Sequence, residues 1–273
     1  MKNKKLNYSD CIEIAEEVYW VGLFDETAPI TNNPYLIVDN KEAVLIDGGN
    51  RNEFSTVMLK ILRTGVNPKN ITRLIYQHYD PDLCGSLPHM EEVIGSKELK
   101  IISHYENNAF INCYSSKTPK LCIEDLNFRF DFSSGRRLEF IRTPYAHTAG
   151  NFITYDTKTK VLFSSDIFGG FDSDWSLYTR IFEQCASCSP LNICPVTNRF
   201  CQINGIWEFH KRVMPSVRAL HYALKLIEEK DVSLIAPQHG SIFPTDITQE
   251  IVIEQLRSLT KLGIDYFLEN NES

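Results

Sequence analysis

Four strand-length apolar runs in this chain stop at residues of metal-ligand type, and this repetition constrains the fold more than any other feature. Leu74-Ile75-Tyr76 runs into Gln77-His78-Tyr79-Asp80-Pro81-Asp82, and Phe140-Ile141 is followed by Thr143-Pro144-Tyr145-Ala146-His147. Leu162-Phe163 leads to Ser164-Ser165-Asp166, and Leu234-Ile235 to Ala236-Pro237-Gln238-His239-Gly240. Side chains just past the ends of neighbouring strands gather at one rim of a sheet, where irregular backbone aims them and the strands keep them rigid. A single histidine after a strand is more often a hydrogen-bonded structural residue than a ligand. His-x-Asp-x-Asp, then His, Asp and His, each at a strand end and in this order, is hard to obtain by accident.

The runs between these points alternate between strand and helix patterns. Tyr35–Val38 and Ala43–Ile46 flank the turn signal Asp39-Asn40 and read as a hairpin, as do Phe152–Tyr155 and Val161–Phe163 around 156–160. Ile71–Tyr76, Lys100–Ser103, Leu138–Ile141 and Val232–Ile235 read as further strands. Asn52 is expected to cap a helix with Phe54, Met58, Ile61 and Leu62 on its apolar face, closed by Gly65. Pro215-Ser216 opens a helix with Val217, Leu220, Leu224 and Ile227 on one face, and Asp246 caps a last one. Hairpins mixed with strand–helix units argue for mixed sheets covered by helices. The stretch from Asp172 to Asn204, rich in cysteine, serine and asparagine, breaks the pattern and reads as an insertion or long loop.

A 43% hydrophobic fraction over 273 residues is enough for a sizeable core. The formal charge of −7, with no basic run beyond 2–5, argues against a nucleic-acid or membrane-binding surface. No apolar h-region follows Lys2–Lys5 and no apolar run reaches ~18 residues, so a cytoplasmic protein without a membrane span is expected. In a reducing compartment the eight cysteines are not expected to form a disulfide framework, which leaves metal binding or burial.

The ligand pattern resembles the metallo-β-lactamase superfamily, and more closely the diiron domain of the flavodiiron proteins, whose motif is His-x-Glu-x-Asp-His followed by His, Asp and His. Leu45-Ile46-Asp47, 82–88, 162–169 and 237–242 also look alike, and the resemblance runs from about Ile12 to Ile253 without the cysteine-rich stretch. It implies an α/β (α+β) fold, a single αββα metallo-β-lactamase-like sandwich over residues 1–273, with the insertion at about 172–204. It further implies two irons, one held by His78, Asp80 and His147, the other by Asp82 and His239, with Asp166 bridging. Two positions depart from the family. Its glutamate is the shorter Asp80, and its histidine after Asp82 is Leu83, so the second metal lacks a nitrogen ligand unless His89, His104 or solvent supplies one. Three carboxylates with three imidazoles suit iron or manganese better than zinc.

Too few residues follow His239 for a flavodoxin domain, which needs roughly 100. The expectation therefore narrows to stand-alone diiron relatives, including the oxygen-binding diiron proteins of bacterial chemotaxis. These imply a homodimer that binds O2, or NO, as sensor or reductase and works with an electron donor or signalling protein. The rival reading is a two-metal hydrolase of the same superfamily. Cys185, Cys188, Cys194 and Cys201 lie in a polar, loop-like stretch where burial explains them poorly. Four thiolates at these spacings suit an iron–sulfur cluster such as [4Fe-4S], or zinc.

Overall fold

A computed structural model of the chain describes residues 6–24, 28, 30–115, 117–244 and 246–271. These divide into two compact units, the first formed by residues 6–24 and 31–138, the second by 28, 30 and 139–271.

In the first unit, β1 (Ile12–Ala15), β2 (Val18–Trp20), β3 (Tyr35–Asp39), β4 (Glu42–Ile46), β5 (Ile71–Ile75), β6 (Lys100–Ser103) and β7 (Lys120–Cys122) form one seven-stranded sheet in chain order. Pairing is antiparallel from β1 to β4 and parallel from β4 to β7. The parallel strands are joined through α1 (Phe54–Arg63), α2 (Pro81–Cys84), α3 (Leu87–Ile94) and α4 (Tyr105–Ile111). Val57, Ile61, Leu87 and Met90 of the helices share one buried core with Leu45, Leu74 and Ile101 of the strands. Asn52 does not cap α1. The Asn50 side chain accepts hydrogen bonds from the N–H groups of Asn52 and Glu53, and the Glu53 carboxylate accepts one from the N–H of Asn50. The entry turn is thus closed from two residues earlier, with Glu53 at the cap.

The second sheet runs β12-β11-β10-β9-β8, from β8 (Arg129–Asp131), β9 (Arg137–Arg142), β10 (Phe152–Asp156), β11 (Val161–Phe163) and β12 (Leu234–Ala236). The border between the units falls within β9. β10 and β11 are the expected hairpin, and β11 pairs with β12 in parallel. Helices α5 (Gln202–Val213), α6 (Val217–Glu228), α7 (Asp246–Arg257) and α8 (Gly263–Asn271) belong to this unit. Ile206, Leu220, Leu224, Val252 and Leu256 share its core with Ile153, Leu162 and Ile235. Ser216 caps α6 by accepting from the N–H of Ala219.

The expected loop is shorter than its stated range, because 202–204 already belong to α5. That helix carries Ile203, Ile206, Phe209 and His210 on its buried side, a helical spacing hidden behind the polar stretch before it. Its fit depends on Gly205. The N–H of Phe171 donates to the carbonyl of Gly205 at 3.2 Å, and a Cβ there would lie 2.0 Å from the Phe171 carbonyl oxygen. Gly205→Ala must therefore push α5 away from 169–172, and is expected to lower stability by about 1–3 kcal/mol. Urea denaturation of the metal-free protein measures it.

Candidate metal centre

His78, Asp166 and His239 follow the carboxyl ends of strands that pair in parallel, β5, β11 and β12, where α/β sheets place their sites, and His147 follows β9. In the second unit the register explains why two of them are neighbours. Phe163 of β11 lies opposite Ala236 of β12, and Asp166 and His239 each follow three residues later. The N–H of Gln238 donates to the carbonyl of Ser165 at 2.9 Å and carries the pairing past the strand ends. Asp166 then offers its two oxygens to different imidazoles. Oδ1 lies 3.5 Å from His239 Nε2, and Oδ2 lies 3.9 Å from His147 Nε2. Both separations exceed good hydrogen-bond length. They match two atoms bound to one ion at roughly 2.1 Å each.

The imidazoles and the carboxylate are held by neighbours that sequence reasoning did not single out. His147 Nδ1 lies 3.3 Å from the Val213 carbonyl, which leaves Nε2 as the atom for a metal. Asn151 ties the His147 loop to the Asp166 loop: its Nδ2 donates to Thr143 Oγ1 at 2.9 Å, and its Oδ1 accepts from Ser165 Oγ at 2.8 Å. His210 of α5 accepts from the N–H of Phe168 through Nε2 at 3.2 Å, and its Nδ1 meets the Ile206 carbonyl at 2.7 Å. Phe209 sets its ring 5.6 Å from that of His239. His147, Ser165 and Phe168 all have positive φ, at 124°, 55° and 70°. Such backbone persists where surroundings over-determine it, and it clusters at functional sites. No local signal marked His210, which stands between Glu208 and Lys211-Arg212, or Asn151, which follows Gly150.

In the first unit His78, Asp80 and Asp82 present ligand atoms that all lie within 4.8 Å of one another. His78 is buried three residues beyond β5, and its Nε2 is 3.9 Å from Asp80 Oδ2. Pro81 starts α2 and places Asp80 at its N-cap and Asp82 in its first turn, so one short helix aims both carboxylates. Leu83 points away into the core, fully buried with Leu87 and Met90. Neither histidine considered as its replacement is among these ligands. His104 caps α4 and pairs through Nε2 with Glu124 at 2.9 Å, and His89 packs its ring on Phe54 at 5.2 Å. Cys84 is fully buried, with Sγ 4.0 Å from the His78 carbonyl.

All eight cysteines are unpaired thiols. Cys185, Cys194 and Cys201 line one small cavity, while Cys188 follows a short 3₁₀ turn, Glu183–Ser187, and donates to the Ser189 carbonyl at 3.5 Å. Among the described residues no helix is long and apolar enough to cross a membrane.

The model of the family described as ODP family beta lactamase matches residues 30–240. The chain belongs to this family. A solved structure described as "Peroxy diiron species of chemotaxis sensor ODP" is 25% identical, with a TM-score of 0.75, covering 96% of this chain and 99% of that one. The mixed α/β fold is therefore that of the metallo-β-lactamase-type diiron proteins. Uncharacterized protein MJ0732 of Methanocaldococcus jannaschii is 27% identical over 256 residues, 88% of this chain and 58% of its own length. An anaerobic nitric oxide reductase flavorubredoxin of an Enterobacter species is 26% identical over 230 residues, 80% of this chain and 42% of its own. The chain thus spans less than two thirds of these two curated relatives.

Burial pushes the His210 pKa down to about 4, so its imidazole is neutral and its tautomer fixed. The unfolded chain, with an ordinary histidine near 6.5, binds the proton first as pH falls. Stability from this residue is complete above pH 6.5 and is lost toward pH 4, by about 3 kcal/mol at most. Denaturation of metal-free protein across that range should show the loss, and His210→Gln should lack this component.

Proposed function

We propose that the protein is a non-haem diiron protein that binds O2, with NO as an alternative ligand, as a sensor or reductase. One iron takes His78, Asp80 and His147, the other takes Asp82 and His239, and Asp166 bridges them. The observation that carries the reading is the pair of Asp166 oxygens, each facing a different histidine at 3.5 and 3.9 Å. Membership of the ODP family and likeness to a structure named as a diiron chemotaxis sensor support it, as does a relative named as a nitric oxide reductase.

Bound iron would supply reversible redox chemistry and an open position for a diatomic ligand. The chain's own residues do the rest. Three aspartates offset most of the charge of two divalent ions and give an oxygen-rich donor set suited to iron. The Val213 carbonyl sets the His147 tautomer, and Asn151 with His210 fixes the loops that carry His147 and Asp166. Leu83, buried where the family motif has histidine, leaves the second iron with one protein nitrogen. The hydrolase alternative fits less well, because it would rest on a more imidazole-rich site.

The proposal takes residues 1–273 as one αββα domain with the cysteine-rich insertion at 172–204. The protein is read as a cytoplasmic homodimer served by an electron donor or signalling protein, with no nucleic-acid or membrane partner. Cys185, Cys188, Cys194 and Cys201 form a second candidate site, for [4Fe-4S] or zinc.

Protein prepared anaerobically with iron should contain about two irons at the His/Asp ligands and change its visible absorption on mixing with O2. Asp166→Ala should lose both irons. Two tightly held zincs under those conditions, with ester or phosphodiester turnover, would establish the hydrolase instead. Diferrous protein that is spectrally silent toward O2 would end the proposal.

A further inference from the structure

Helix α6 has two sides of different character. Leu220, Ala223, Leu224 and Ile227 are buried in the core of the second unit. Arg218, Tyr222 and Lys225, spaced i, i+4 and i+7, line up on the exposed side. Other cations of this unit are neutralised, Arg212 by Glu208, Lys230 by Glu139 and Arg257 by Glu228. Arg218 and Lys225 pair with no carboxylate among the described residues. In a chain of net charge −7, two free cations on one helix face are a local exception. The loop before His147 completes this face. Pro144 and Tyr145 border, with Ser216, Arg218, Ala219 and Tyr222, a cavity of about 270 Å³. The side chains of Tyr145 and Tyr222 are 57% and 49% exposed. Tyr145 has a φ of 60°, a conformation that bulky residues rarely adopt. Its N–H donates to the Thr148 carbonyl at 2.8 Å and that of Ala146 to the Thr143 carbonyl at 3.0 Å, so a closed turn holds a ring that stands in solvent.

We infer that the face of Tyr145, Arg218, Tyr222 and Lys225 docks a partner protein, through a segment that sets an apolar or aromatic side chain among carboxylates. Small-molecule sites enclose roughly 300–1,000 Å³. The smaller cavity here lies between two exposed rings, which is room for one side chain of a larger partner. Tyrosine and arginine are the side chains that most often carry the binding energy of protein interfaces. Arg218 and Lys225 supply the charge that selects an acidic partner. Nucleic acids and anionic bilayers are met by larger clusters of cations, and the net charge of the chain opposes both. A second copy seated through the same face would set Arg218 and Lys225 against their own counterparts. On the iron-pair reading, the docked segment touches the loop that carries His147, two residues from that ligand. The docking itself does not rest on that reading.

The full-length protein, with and without added iron, is used to select from a phage-displayed library of random peptides, and the enriched peptides are titrated by fluorescence anisotropy. They should carry an aromatic or apolar residue flanked by Asp or Glu, and bind more weakly as salt rises. Arg218→Glu, Tyr222→Ser and Tyr145→Gly should each weaken them roughly tenfold or more. Val196→Ser, which removes another exposed apolar side chain, should not. Glycine takes positive φ freely, so Tyr145→Gly should keep the turn and a wild-type circular dichroism spectrum while losing the ring. No enrichment, enrichment of Lys- and Arg-rich peptides, or affinities that the three substitutions leave unchanged overturns the inference. So does a face that binds phosphatidylglycerol vesicles instead, or an Arg218→Glu variant that changes the oligomeric state. Failure of the iron-pair reading alone leaves peptide binding by the metal-free protein intact, so the two failures look different.

Discussion

The meeting of ligand-type residues in the second unit depends on the parallel pairing of β11 with β12. Two strands that run side by side and end in register deliver the residues after them to the same place. Equal offsets of three residues then set Asp166 beside His239. The hydrogen bond from Gln238 to Ser165 prevents the two loops from separating once the strands have ended. A one-residue slip would move the carboxylate to the other side of its strand, since side chains alternate with period two. Burial of Val161, Leu162 and Phe163 against Leu234–Ala236 makes that slip costly.

Helix α5 is the second support. Its close approach at Gly205 brings Phe209 against His239 and His210 against Phe168, so one helix steadies both of the strand-end loops. Left-handed backbone at Ser165 and Phe168 costs energy that the local sequence does not recover by itself. The helix and Asn151 supply the compensating hydrogen bonds. The neutral state of His210 matters here, because only an unprotonated Nε2 can accept from the N–H of Phe168.

In the first unit the geometry is more local. Pro81 fixes the start of α2, which sets Asp80 and Asp82 two residues apart around one short turn next to the buried His78. Leu83 completes that turn by facing the core, and the same turn in the family motif would present histidine. Leu83 thus serves core packing, and His89 and His104 are engaged elsewhere, on Phe54 and Glu124.

The sequence by itself determined which residues end the strands, because apolar runs with period-two or continuous burial stop visibly at polar clusters. That His78, Asp80, Asp82, His147, Asp166 and His239 lie just past strand ends was legible on that basis, as were both hairpins and the mixed sheets. Contacts between residues far apart in the chain were not legible. Asn151 to Thr143 and Ser165, His210 to Phe168, and Glu124 to His104 carry no local period or motif that would announce them. The cap of α1 was misplaced at Asn52 because several polar residues there offer equivalent side chains, and only the folded backbone selects Asn50 and Glu53. The four cysteines were visible as a set, but what holds their segment was not. Tertiary structure alone decided that, since Gln255 of α7, Asp174 and the start of α5 anchor it through partners far away in the chain.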